Sequence, residues 1–109
     1  MYKALPGRSK LVDLQKRIIL RAFDLLKKDG ILLYATCTYN PEENESVVDF
    51  LIKHREAALF PIHFDIPYEP GLLEWKRERY DRQLQGALRF YPHRVDSVGF
   101  FMARIGRKG

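Results

Sequence analysis

Apolar and polar positions change rhythm along this chain, and each change marks a change of backbone. Leu11, Leu14, Ile18, Ala22 and Leu25 recur at spacings of three and four, with Ile19, Phe23 and Leu26 widening the stripe. That spacing predicts an amphipathic helix with a face broad enough to pack on a sheet. Ser9 is placed to cap its start. Lys27, Lys28 and Gly30 suit its end: cations in the last turn, then a residue that tolerates left-handed dihedrals. The run ILLYA, Ile31 to Ala35, has no polar member. It reads as a strand covered on both faces, as in the parallel sheets of α/β proteins.

Asn40-Pro41-Glu42-Glu43 then starts a second helix, with Asn as N-cap, Pro at the first helical position and Glu reaching back as in a capping box. Val47, Val48, Leu51 and Ile52 supply its buried face as far as about His54. Helix, buried strand, turn and helix make one and a half βα units. Beyond Arg55 the pattern loosens. The stretch FPIHFDIPYEPG holds three prolines and allows at most a short strand and a loop. Leu72 to Leu84, which carries Trp75, is charged and mixed and predicts a surface helix or an insertion. Ala87 to Tyr91 and Phe100 to Ile105 read as two strands of an antiparallel hairpin, joined by PHRVDSVG.

Composition narrows the class. With 109 residues, 46% hydrophobic and 30% charged, the chain is a single globular domain. No apolar run approaches the roughly 20 residues of a membrane span, and MYKALPGRSK lacks the apolar stretch of a signal peptide. A single cysteine makes no internal disulfide and no CxxC metal site, so the chain reads as cytoplasmic, and no residues have metal-ligand spacing. The net charge is +5, and residues 1–28 alone hold eight Lys or Arg against two Asp. That balance favours an anionic partner, with RNA or DNA the commonest, although a solvated lysine-rich surface gives the same count.

Cys37 follows the ILLYA run and precedes the Pro41 helix start. A lone thiol there is either a buried filler at a strand end or a nucleophile at the rim where open α/β sheets place ligands. The chain opens with a helix and contains neither GxGxxG nor GxxxxGK. It looks like the second half of a fold.

The string GILLYATCTYNPEENESVVDFL, preceded by LVDLQKRIILRAFDLLKKD, closely resembles the Nol/Nop/Sun group of RNA cytosine-5 methyltransferases. The matching positions are Leu14, Gln15, Gly30, Tyr34, Ala35, Thr36, Cys37, Thr38, Pro41, Glu42, Glu43, Asn44 and Glu45. Near the end Arg89, Pro92, His93, Asp96, Gly99, Phe100, Phe101 and Ala103 match as well, with Ser97 and Val98 inserted. The likeness covers nearly all of residues 1–109 and is weakest over 56–86. It implies the C-terminal portion of a Rossmann-like, S-adenosylmethionine-dependent methyltransferase sheet, ending in an antiparallel hairpin. It implies Cys37 as the nucleophile that attacks carbon 6 of a cytosine in rRNA or tRNA. Candidate RNA contacts are Lys3, Arg8 and Lys10 in the basic first segment and His93 and Arg94 in the hairpin connection. For His93 a role in capping that connection is equally open. Phe100 and Phe101 are expected in the core.

The group's second cysteine, in a Pro-Cys-Ser-Gly motif, and its glycine-rich cofactor loop have no counterpart here. By the group's order they are expected before Met1, on a separate or lost N-terminal half that holds most of the S-adenosylmethionine. The isolated chain is then expected not to turn over, and to self-associate through exposed core. Two other readings rank below this one: a non-catalytic RNA-binding or assembly module derived from the same fold, and an unrelated cysteine enzyme. The last would need a histidine to activate Cys37, which the local sequence does not supply.

Overall fold

The computed structural model describes residues 6–63, 65, 67–90 and 99–108, the side chains of 6–9 excepted. Its elements run α1 (Pro6–Asp24), β1 (Leu32–Thr36), α2 (Glu45–His54), β2 (Ala57–Phe60), β3 (Glu69–Pro70), β4 (Glu74–Trp75), β5 (Glu78–Arg79), a 3-10 turn (Arg82–Gly86), β6 (Leu88–Phe90) and β7 (Phe100–Arg107).

The long strand β7 organises the sheet. β1 lies antiparallel along one of its edges, from Leu32 opposite Ile105 to Thr36 opposite Phe101. Arg104 and Ile105 also face Phe60 and Leu59, so β2 occupies the other edge. β6 continues that second edge, with Leu88 opposite Met102 and Phe90 opposite Phe100, and β3 pairs with β6 in turn. The antiparallel pairing of β6 with β7 is the hairpin anticipated from sequence. Among the described strands β1 pairs only with β7, which leaves its other edge open.

Residues alternate across a strand, so the register sorts the sheet into two faces. Leu32, Tyr34 and Thr36 share one face with Phe101, Ala103 and Ile105. Here lies the core: Phe101, Ala103 and Ile105 are fully buried against Ile19 and Phe23 of α1 and Val47, Val48 and Leu51 of α2. The opposite face carries Leu33, Ala35, Met102 and Arg104. Leu33 is 56% exposed, so ILLYA is covered on one face rather than both. The two described helices both serve the same side of the sheet.

The helices run in the same direction. Gln15 of α1 donates from Nε2 to Glu43 just before α2, and Asp24 at the end of α1 pairs with Arg55 at the end of α2. That is the geometry of helices separated by a crossover strand. It brings both helix N-termini to the end of the sheet where β1 runs out.

Several local expectations are corrected. α1 starts at Pro6, a residue suited to the first turn, so Ser9 is helical rather than its cap. The helix turns Ile19 and Phe23 inward, while Leu14, Ile18 and Leu25 are 44, 57 and 74% exposed. Two apolar stripes overlap on this helix, and the one with Phe23 wins because a large ring fills more of the space above the sheet. The helix ends at Asp24, and Gly30 has no left-handed φ. Arg107 of β7 braces this end instead: its Nη2 donates to Phe23 O in the last turn at 3.0 Å and to Leu26 O just beyond the helix at 2.8 Å. The charged 72–84 stretch forms the β4–β5 hairpin and the 3-10 turn, not a surface helix. Lys76 takes a φ of 56° in that hairpin's turn. Phe101 is buried as expected, but Phe100 alternates to the open face and is 41% exposed.

Candidate functional site

β1 ends at Thr36, and Cys37 is exposed in the turn that follows. Exposure removes the reading of this thiol as buried filler. Next to it, Asn40 caps the approach to α2: its Oδ1 accepts from Glu42 N at 3.0 Å and its carbonyl from Glu43 N at 3.0 Å. Glu43 reaches back as in a capping box, but to the Asn40 side-chain amide rather than to its backbone N–H. The first regular residue of α2 is Glu45, four positions later than the sequence places the helix start.

The delay is due to Asn44. Its side chain makes no cap hydrogen bond to α2. Instead Asn44 Oδ1 accepts from the Thr36 hydroxyl at 2.5 Å, and its Nδ2 donates to Thr38 O at 2.8 Å. One fully buried side chain therefore holds the residue on either side of Cys37. Thr38 Oγ1 in turn accepts from Asn40 N at 3.1 Å.

A buried ion pair secures the far end of the turn. Arg89 of β6 donates from Nε and Nη2 to the two carboxylate oxygens of Glu45, at 2.5 and 2.6 Å. Its Nη1 donates to Tyr39 O at 3.1 Å. Glu45 also accepts from Leu72 N at 2.8 Å. The two side chains are 3 and 0% exposed, so the pair is bidentate and desolvated. The Tyr39 ring lies over Gly99, where an added Cβ would meet it at 2.1 Å; a glycine is required for that approach. From β1, the Tyr34 hydroxyl donates to Glu43 O at 2.7 Å. Burial, and secondarily the Glu43 carboxylate, push that phenol well above its usual 10 and keep it a donor.

Thr36, Asn44, Glu45 and Arg89 are the residues that reading by element misses. Thr36, Asn44 and Glu45 stand in the family-like string and Arg89 in the matching segment near the end, but spacing gives them no partner, and the Glu45–Arg89 contact spans 44 residues. The one sequence signal was two polar residues, Asn44 and Glu45, entering a helix just ahead of its buried apolar face.

The sequence-derived RNA contacts are described only in part. Lys10 is exposed on α1, about 7.5 Å of helical rise beyond Gln15 toward the N-terminus and so toward the Cys37 end. Lys3, His93, Arg94 and the side chain of Arg8 lie outside the described residues. Lys16 of α1 covers the Phe50 ring at 5.3 Å, which adds a cation–aromatic pair to the same helix face as Arg17 and α2. Among the described residues no His, Cys, Asp and Glu cluster could hold a metal ion. β1 leads into Thr36-Cys37-Thr38, and no described glycine has a positive φ. No described helix is long and apolar enough to cross a membrane.

Comparison with known proteins follows the same lines. The family described as 16S rRNA methyltransferase RsmB/F matches residues 7–106. A tRNA (cytosine(49)-C(5))-methyltransferase of Pyrococcus abyssi is 38% identical over 92 residues, which cover 84% of this chain and 30% of the relative. A 28S rRNA (cytosine(4447)-C(5))-methyltransferase of Homo sapiens is 39% identical over 100 residues, 88% of this chain and 12% of its own. A methyltransferase homolog protein from Pyrococcus horikoshii superposes with a TM-score of 0.84 at 31% identity, over 98% of this chain and 34% of that one. NSun6 from Pyrococcus horikoshii, solved with SFG, does so with a TM-score of 0.73 at 29% identity, over 99% and 25%. The chain thus spans a minor part of each of these relatives.

Proposed function

Because the chain belongs to the RsmB/F family of RNA cytosine-5 methyltransferases, we propose that it is the C-terminal, nucleophile-bearing part of such an enzyme, acting in the cytoplasm on rRNA or tRNA. The observation that carries this reading is Cys37: an exposed thiol at the end of β1, in a turn fixed from both sides. Carbon 5 of cytosine is too weak a nucleophile to take a methyl group directly. Addition of the Cys37 thiolate to carbon 6 forms a C–S bond and moves electron density onto carbon 5. S-adenosylmethionine, when bound, supplies the methyl group. Loss of the carbon-5 proton and expulsion of the thiolate then restore the ring. The target base has to leave its stack to reach the turn. Lys10 on α1, with Lys3, Arg8, His93 and Arg94, is assigned to the RNA backbone around it.

As the family resemblance implies, most contacts to the methyl donor are assigned to an N-terminal, cofactor-binding portion of such an enzyme. The open edge of β1, with Leu33 and Phe100 exposed on the face of the sheet away from α1 and α2, offers it an apolar docking side. The deciding experiment mixes the chain with such a cofactor-binding portion and RNA containing 5-fluorocytosine, which traps the carbon-6 adduct. A covalent complex is expected, and Cys37→Ala should abolish it. An adduct that survives this substitution removes Cys37 from the role. Salt-sensitive RNA binding with no adduct under any condition would assign the chain to a non-catalytic RNA-binding module instead.

A further inference from the structure

The hydrogen bonds around the turn point to an additional layer of the site. Cys37 is exposed, so packing of its own side chain does not fix its direction. Three residues outside the turn hold the backbone on which it stands. Asn44 binds Thr36 and Thr38 at 2.5 and 2.8 Å, and Arg89 binds Tyr39 O at 3.1 Å while paired to Glu45. Asn44 and Glu45 are 0% exposed and Arg89 2%. Burying an amide and an ion pair at the start of a helix is costly unless each is satisfied. Asn44 is also the residue at which α2 forgoes a side-chain cap. A side-chain cap at this position ordinarily stabilises a helix, so committing the amide to the turn is a local sacrifice.

We infer that Asn44, with Thr36 as its anchor and the Arg89–Glu45 pair as its counterpart, acts as a positioning residue that aims the Cys37 sulfur at carbon 6 of the cytosine. The inference rests on the assignment of Cys37 as the nucleophile. Asn44, Glu45 and Arg89 are buried, so they act on the base only through the turn. They hold the four-residue segment from Thr36 to Tyr39 in one conformation, so that the thiolate meets the ring without a search over backbone states. A thiol held this way reacts with its designated base much faster than one on a free loop, whereas its reaction with a small unoriented reagent is unaffected.

Thr36 supplies the sharpest test. Thr36→Val removes the hydroxyl donor at nearly constant shape, and Thr36→Ser keeps it. In the chain alone, amide order parameters for residues 37–39 are expected near the rigid value of about 0.85, and below about 0.6 in Thr36→Val and Asn44→Ala. Thr36→Ser should stay rigid. With the cofactor-binding portion and 5-fluorocytosine RNA, Thr36→Val should slow adduct formation on the order of 100-fold at unchanged RNA affinity. Alkylation of Cys37, the chain's only thiol, by iodoacetamide should remain within about twofold. Unchanged order parameters in Thr36→Val overturn the proposal, as does a rate loss shared equally by Thr36→Ser. A loss confined to RNA affinity overturns it too. An adduct that forms in Cys37→Ala defeats the nucleophile assignment itself, and the order parameters then report only a structural brace.

Discussion

The Arg89 guanidinium sits between two demands, holding the Glu45 charge and the Tyr39 carbonyl. An ion pair this deep stabilises little relative to an apolar pair of the same shape, but breaking one half of it leaves an unpaired buried charge. Arg89→Met is therefore expected to cost about 3–5 kcal/mol in urea unfolding, with the double variant Arg89→Met, Glu45→Leu recovering much of the loss. A double variant as unstable as the single one would show that the charges themselves, not their mutual cancellation, hold the site together. Gly99 belongs to the same scale. A methyl group there would occupy the position of the Tyr39 ring and pull the Cys37 turn out of line. The sequence shows these residues but not their partners, because side chains 44 positions apart meet only once the strands have paired.

Between elements, the ends of α1 and α2 are tied by the bidentate Arg55–Asp24 pair at 2.7 and 2.8 Å. The Arg55 hydrogen bond holds the Asp24 carboxyl below its usual 3.8. A carboxylate whose folded pKa is depressed contributes stability that is complete above 3.8 and is lost as pH falls through the lower folded value. Asp24→Asn should therefore lower the melting temperature slightly at pH 7, by the small amount an exposed pair provides, and the difference should vanish on acidification. Equal melting curves at pH 7 would show that this exposed pair contributes no measurable stability. The helices themselves were legible. Val47, Val48 and Leu51 are buried as their spacing requires. The inward face of α1 was not, because two stripes fit the same helix and only the sheet selects between them.

At the scale of the molecule, the two described helices close one side of the sheet, and no described helix covers the other. Exposed there or on the outer side of α1 are Leu14, Ile18, Leu25, Ile31, Leu33 and Phe100. Such a surface, next to an unpaired strand edge, is expected to drive association when the chain is alone. Sedimentation at micromolar concentration should show dimers or larger species, and Leu33→Lys should shift them toward monomer. A monomer at all concentrations would mean that the exposed leucines are too dispersed to act as one surface. Addition of the cofactor-binding portion should replace self-association with a one-to-one complex, since both compete for the same side.

By itself, the sequence determined the family and the existence of α1, β1, α2, β6 and β7. Periodicity sets helices and strands through backbone geometry, and the TCT-to-PEEN string is contiguous, so it survives without a fold. The antiparallel β6–β7 pair was legible because both strands are short stretches rich in apolar and aromatic residues, interrupted only by arginine and one glycine. Tertiary structure alone decided which stripe of α1 turns inward, which face of β1 stays open, and that residues 72–84 form a hairpin. It also decided that Asn44 serves the Cys37 turn rather than its own helix. Each of these depends on what stands opposite a residue in space, and burial and hydrogen-bond satisfaction are properties of that neighbour, not of the position in the chain.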